Sequence, residues 1–338
     1  MNRFAVLHAG SPADHDAWQA RHQPEHLQAW PGLTLAWWGR DFCSCDGRMR
    51  GAWCGALTDD HALADRLSER GVPALLHDHG QLAIDEVALA GPDAPSAWRW
   101  QGSMAVAHVA QRRVLAVRDP MGVGGLHASR IGLASDAELL DDAAPVPPGV
   151  VAVVAPGQRR WQRLKLQPTA RPWLREVPDD LRRTGADEAM QGVLARVHAA
   201  AMACARGLDG LARTAPTDAA EHWWAQRLVW PTAPSAGGLW TWAGAASLLG
   251  ASVTTAPWSP SPAVADLPER EVPEPVADLP AGEVTRRRWR ATWLPERDLA
   301  LDRGLAAAQG RVLVAPHLDV AVLAWLGALA EDVRPWLP

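Results

Sequence analysis

MAVAHVAQRRVLAVRDPMG, residues 104–122, holds two apolar runs separated by the polar Gln111, Arg112 and Arg113. Short runs of small and β-branched residues flanking a polar break read as two antiparallel strands turning at Ala110, Gln111 and Arg112. The second run ends in Arg118-Asp119-Pro120-Met121-Gly122, where proline and then glycine mark a tight turn. Working outward, FAVLH (4–8), LTLAW (33–37) and VVAVV (150–154) have the same texture. DDHALADRLSERG (59–71) differs: Leu63 and Leu67 fall four apart, acids open the segment and Gly71 closes it. That is helix start and stop chemistry. Strands and a helix in mixed order around a hairpin predict an α+β fold for this part of the chain.

The chain has 338 residues, enough for two domains, with 48% hydrophobic and 21% charged residues. A net charge of -5 gives no general attraction to nucleic acid or to anionic membrane. No apolar run approaches the ~18 residues that a spanning helix needs. The opening MNRFAVLHAGSPADHDAW meets acid and proline early for a signal peptide, so a cytoplasmic location is expected. There are 19 Trp but no Tyr, a single Lys (Lys165) and a single Asn (Asn2), a skew that reads as coding bias. Cys43, Cys45, Cys54 and Cys204 lack paired C-x-x-C spacing; Cys43 and Cys45 with a nearby His could hold zinc, and otherwise are plain thiols. In HQPEH, Pro24 separates His22 from His26 and argues for loop or cap histidines rather than helical ligands.

The texture changes near residues 168–173. TGADEAMQGVLARVHAAAMACARG (184–207) opens on Thr184-x-x-Asp187 and carries Met190, Val193, Leu194, Val197 and Ala201 on one face, which predicts a helix. SAGGLWTWAGAASLLG (235–250) is a strand-turn-helix candidate. A proline- and acid-rich stretch follows at 256–284, and the closing segment is predominantly helical in its periodicity.

Several of these stretches, in order, resemble the asparagine synthetase-like family. WCGALTDDHAL (53–63) resembles its Asn-Gly-Glu segment, WQGSMAVAHVAQRRVLAVRDPMGVGGLHAS (100–129) its Arg-Asp-x-x-Gly hairpin, and IGLASDAELL (131–140) its Phe-Ala-Ser-Glu segment. PVPPGVVAVV (145–154) resembles the Pro-Pro-Gly segment that closes the glutaminase domain. Downstream, SAGGLWTWAGAASLLG resembles the pyrophosphate loop, and LPERDLALDRGLAAAQGRVLVAPHLDVAVLAWLGAL (294–329) the C-terminal helices. The resemblance implies an α+β glutaminase-like sandwich over 1–167, a class II glutamine amidotransferase-like domain. It implies a shortened, helix-rich α/β synthetase-like domain over 168–338, with the Pro-rich insert at 256–284.

The same resemblance implies that reactive groups are missing. A class II glutaminase attacks through an N-terminal Cys, and here that position is Asn2, whose amide is no nucleophile. The family's Asn-Gly-Glu positions fall on Cys54, Gly55 and Ala56, and its Asp-Thr-Glu segment falls near His79, Gly80 and Gln81. Cys54 could be a substitute nucleophile, but no partnered base is implied nearby. Arg118, Asp119 and Gly122 persist, and a structural role is expected for them: charge pairing and a glycine turn. In the pyrophosphate loop, Gly237, Gly238 and Thr241 suit a phosphate cradle, whereas Ala236, Trp240 and Trp242 replace the family's polar groups.

The expectation is a pseudoenzyme that needs no cofactor and acts by binding a protein or peptide, such as an active asparagine synthetase-like homologue. The alternative is an ATP- and magnesium-dependent amide-forming enzyme with a rearranged site, drawing on Gly237, Gly238, Thr241, Arg303 and Asp319. Trp pairs at 37–38, 98–100 and 223–224 are either interaction anchors or replacements for core aromatics.

Overall fold

The computed structural model describes residues 2–164 and, beyond them, residues 195, 196, 199, 200, 203, 204, 299, 300, 303, 313–315, 318, 319 and 321. The chain enters as β1 (Arg3–Leu7), α1 (Pro12–His22), β2 (His26–Trp30), β3 (Leu33–Trp38), β4 (Phe42–Cys43) and β5 (Met49–Leu57). Two helices follow, α2 (Asp60–Glu69) and α3 (His79–Ala90), and then the hairpin β6 (Trp100–His108) and β7 (Arg113–Arg118). Short strands β8 (His127–Ala128), β9 (Gly132–Ala134) and β10 (Ala144–Pro145) lead to a second hairpin, β11 (Val150–Ala155) and β12 (Gln158–Arg163).

These strands form two antiparallel six-stranded sheets, β10-β8-β9-β1-β3-β2 and β12-β11-β7-β6-β5-β4. The sheets share a core. Phe4, Val6, Leu33, Leu35 and Trp37 of the first sheet pack with Ala52, Ala105, Ala107, Val114 and Ala116 of the second. Bulk comes mainly from one sheet and small residues from the other, a complementary pairing that suits close packing of the two layers. The second sheet's other face carries Trp53, Leu57, Met104 and Val106 against Leu63 and Leu67 of α2 and Leu82, Ile84 and Val87 of α3. The first sheet's outer face packs Ala5, Leu7 and Ala36 with Trp18 of α1. The order of layers is helix, sheet, sheet, helices. An α+β fold is what the strands and helix around the hairpin predicted, and its two antiparallel sheets form the sandwich that the family resemblance implied.

Double burial explains the sequence texture. The first eight residues of β6 are buried, so its run shows no alternation. The predicted hairpin turns through Arg112, whose φ is 51°. The helix predicted from Asp59 is α2, with the Asp59 side chain accepting from the Ala62 N–H at 3.4 Å. His22 ends α1, whereas His26 stands in β2 and bonds the Gly39 carbonyl at 2.9 Å.

The Trp pairs in the sandwich are core rather than anchors: Trp37, Trp38, Trp98 and Trp100 are all buried. Residues 195, 196, 199, 200, 203 and 204 are helical, within the helix predicted over 184–207. The pyrophosphate-loop candidates Ala236, Gly237, Gly238, Trp240, Thr241 and Trp242, Trp223 and Trp224, and the 256–284 stretch lie outside the described residues. Among the described residues no helix is long and apolar enough to cross a membrane.

Candidate functional site

Asn2 stands immediately before β1, and its side chain ties the two sheets together. Its Nδ2 donates to the Trp53 carbonyl at 3.0 Å, and its Oδ1 accepts from the Arg40 N–H at 3.1 Å. Gly39 makes this fit possible: its φ is 85°, and a Cβ there would lie 2.1 Å from Asn2 Oδ1. The Arg40 guanidinium reaches Asp78 at 2.5 Å, over the ring of Phe42. Asp78 in turn caps α3, accepting from the Gln81 N–H at 3.3 Å. One polar chain therefore joins the start of β1, the turn after β3 and the N-terminus of α3.

Cys54 lies in the same corner, on β5. Its thiol donates to the Asn2 main-chain carbonyl at 3.1 Å. Burial pushes that thiol far above its ordinary value, and the nearby Asp136 charge pushes the same way. A thiol held protonated is a poor nucleophile. Gly55 keeps its carbonyl occupied by the Trp53 indole N–H at 2.8 Å. It also packs against the neighbouring strand so closely that a Cβ would lie 2.8 Å from Gly102 Cα. Ala56 is fully buried beside it.

The residues nominated on α3 are used elsewhere. His79 is buried, accepts from the Leu57 N–H at 2.9 Å through Nδ1, and faces Asp60 at 3.4 Å through Nε2. That pairing assigns the ring proton to Nε2. Gly80 lies under the Phe42 ring, where a Cβ would come within 2.4 Å. Gln81 donates to the Cys43 carbonyl and to Asp85, both at 2.8 Å. The residue that reaches the Asn2 corner is Asp78, the cap just before α3, which the sequence reading did not single out, and neither did it single out Arg40. The available signal was the Asp78-x-x-Gln81 helix start, a capping pattern.

Cys43 and Cys45 are exposed on and beside β4. The Cys45 thiol meets Asp85 at 3.5 Å, and burial followed by the Asp85 charge raises it above its ordinary value. Among the described residues no cluster of three or more His, Cys, Asp or Glu is arranged to hold a metal ion.

Arg118 and Asp119 build the turn that ends β7. Buried Arg118 donates to the carbonyls of Gly124 at 2.9 Å, Gly122 at 3.1 Å and Val146. Asp119 gathers the N–H groups of Met121 and Val123 on Oδ1 and of Gly102 and Gly124 on Oδ2. Burial pushes its carboxyl up, while these donors and the Arg118 charge pull it back. Gly122 has a φ of 70°, the conformation expected of the turn. Arg303 and Asp319, the far-downstream pair of the amide-forming alternative, lie on the sandwich itself. Arg303 donates to the Gly122 carbonyl at 2.8 Å, and Asp319 pairs with Arg99 at 2.5 Å.

No family model matches this chain. No curated protein matches it either. Solved structures similar to part of it include glutamine phosphoribosylpyrophosphate amidotransferase from B. subtilis, complexed with ADP and GMP, at 10% identity and a TM-score of 0.38. That alignment covers 49% of this chain and 50% of the other. An allosteric regulatory enzyme of purine biosynthesis aligns at 10% identity and a TM-score of 0.37, over 58% of this chain and 57% of its own. A glutamine aminotransferase class-II domain protein from Silicibacter pomeroyi aligns at 18% identity and a TM-score of 0.24, over 48% and 91%. This chain spans about half the length of the first two structures.

Proposed function

We propose that this protein is an asparagine synthetase-like pseudoenzyme that works by binding rather than by catalysis. One observation carries the reading. At the position where the resemblance implies a nucleophile, both polar atoms of the Asn2 side chain are spent on main-chain bonds between sheets. Secondary support comes from Cys54, the other candidate nucleophile, which is half-buried, whose thiol is engaged as a donor and is pushed above its ordinary value by burial. Attack on a carbonyl needs a free, activated nucleophile with a base in reach, and neither residue offers one. Arg303 and Asp319, which the amide-forming alternative would draw on, are instead bonded to Gly122 and Arg99.

The occupant fitting this reading is a protein or peptide in the cytoplasm, with an active asparagine synthetase-like homologue as the first candidate, and not nucleic acid or membrane. The test has two arms on the purified full chain. Ammonia release from glutamine and pyrophosphate exchange with magnesium-ATP are expected to stay at background, and turnover in either assay overturns the proposal. Affinity capture against proteins encoded beside it is expected to retain a homologue or another biosynthetic enzyme. Failure against all of them removes the binding role.

A further inference from the structure

The hairpin β4–β5 carries a pair of thiols that the Asn2 corner does not use. Burial alternates along it: Phe42 and Ser44 are buried, whereas Cys43 and Cys45 are exposed. Such alternation puts residues two apart on one face, so both thiols leave the same side of the chain. Ser44 carries the strand pairing past the end of β4. Its N–H donates to the Met49 carbonyl and its hydroxyl accepts the Met49 N–H, both at 2.9 Å.

Helix α3 fixes the main chain of both cysteines. Gln81 donates to the Cys43 carbonyl at 2.8 Å, and Asp85, one turn further on, accepts the Cys45 N–H on Oδ1 at 2.7 Å. Gln81 also donates to Asp85 Oδ2 at 2.8 Å, which ties the two anchors together. The same Oδ2 accepts from the Cys45 thiol at 3.5 Å. A dithiol held through its backbone keeps its spacing, which is the preorganisation a ligand site needs.

That spacing decides what joins the sulfurs. Residues two apart in extended chain have Cα atoms ~6.6 Å apart, at the far end of the range in which a disulfide closes without backbone movement. An ion between two thiolates spans a wider gap than a direct S–S bond. Soft thiolates select soft cations, and Cu(I) is satisfied by two of them in a line.

We propose that Cys43 and Cys45 form a two-coordinate site for the soft monovalent cation Cu(I), braced by Gln81 and Asp85. Binding replaces two S–H bonds by two S–Cu bonds and releases two protons, with that of Cys45 passing to solvent through Asp85. Copper keeps its oxidation state. The bis-thiolate complex carries one net negative charge, and the Arg50 cation, in register with Cys43 across the strand pair, lies within electrostatic reach of it. This inference is independent of whether the protein is catalytic.

The experiment is an anaerobic titration of the reduced full chain with Cu(I) against the chelator bathocuproine disulfonate, whose copper complex absorbs visible light. The parent is expected to withdraw stoichiometric Cu(I) from the chelator, and the double variant Cys43→Ser, Cys45→Ser to withdraw none. Gln81→Ala keeps both sulfurs and is expected to weaken retention by ~10–100-fold. Iodoacetamide footprinting of the copper-loaded parent places the ion without any variant: alkylation of Cys43 and Cys45 is expected to be suppressed. No retention by the parent, or equal retention by the double variant, overturns the site. So does Zn(II) held as tightly as Cu(I), since that requires more ligands than these two sulfurs.

Discussion

The Cys54 thiol donates to the main-chain carbonyl of Asn2, 3.1 Å away. A donor must keep its proton, and burial already disfavours the thiolate at this position. Cys43, by contrast, is exposed. Iodoacetamide at pH 8 is therefore expected to label Cys43 at least ~10-fold faster than Cys54 in the native protein. Mass spectrometry of timed digests reads both rates at once. Comparable rates would mean that Cys54 is an accessible nucleophile after all.

Asn2 holds the Trp53 carbonyl and the Arg40 N–H. Asn2→Ala strands both groups, and denaturant unfolding is expected to show a loss of ~1–3 kcal/mol. Asn2→Cys places a thiol at the position where the family resemblance implies the nucleophile. It is still expected to release no ammonia from glutamine, because Cys54 and Ala56 stand where that resemblance implies substrate-holding polar groups. Glutaminase activity in Asn2→Cys would show that only the nucleophile had been lost.

The hairpin β6–β7 was legible because strands buried on both faces read as short, mostly apolar runs, a texture it shares with β1, β3 and β11. The same double burial hid α3. Eight of its residues from His79 to Val87 are buried, so the helical period that marks one apolar face is erased. Helix α1 was hidden for the opposite reason: only His15 and Trp18 are buried, leaving its Ser11–Asp14 capping box as the signal. Strand β12, QRRWQR, is an edge strand with mostly polar side chains and carries no apolar run to notice. In the candidate site, Asn2, Cys54 and Gly55 were picked out through the family resemblance. Arg40 and Asp78 were not, because two charges 38 positions apart have no spacing signature until the fold joins them.

Asp119 collects four main-chain N–H groups, two on each oxygen, and two of them come from Gly102 and Gly124. Those glycines touch: a Cβ on Gly124 would lie 2.1 Å from the Gly102 carbonyl carbon, backbone that cannot swing aside. Asp119→Asn replaces an acceptor by a donor facing N–H groups, and a loss of ~3 kcal/mol or more is expected. Gly124→Ala is expected to cost a similar amount by forcing strand β6 away from the turn. Urea unfolding followed by tryptophan fluorescence measures both. A loss under ~1 kcal/mol in either variant would show that the turn tolerates rearrangement.

Acid sensitivity should come from two groups in separate windows. Burial, together with the charges of Arg303 and Arg118, lowers His127 from 6.5 to about 3. Its Nδ1 is buried without a hydrogen-bond partner. The unfolded chain therefore binds a proton that the native state refuses, so this contribution is complete above pH ~6.5 and is lost as pH falls towards ~3. Asp46 is lowered from 3.8 to about 2, first by the Arg48 N–H and then by the Ser44 hydroxyl. Its contribution is complete above pH ~4 and is lost towards pH ~2. Buried Asp119 and half-buried Asp136 are raised instead, first by burial, so they act in the opposite sense near pH 4 and mask the total. Differences between variants remove that masking. The stability gap between parent and His127→Gln is expected to shrink steadily from pH 7 to pH 4, while the gap for Asp46→Asn holds to pH ~4 and closes only below it. Denaturant unfolding across pH 7 to 3 follows both, and a His127→Gln gap independent of pH would mean that the imidazole binds its proton equally in the folded and the unfolded chain.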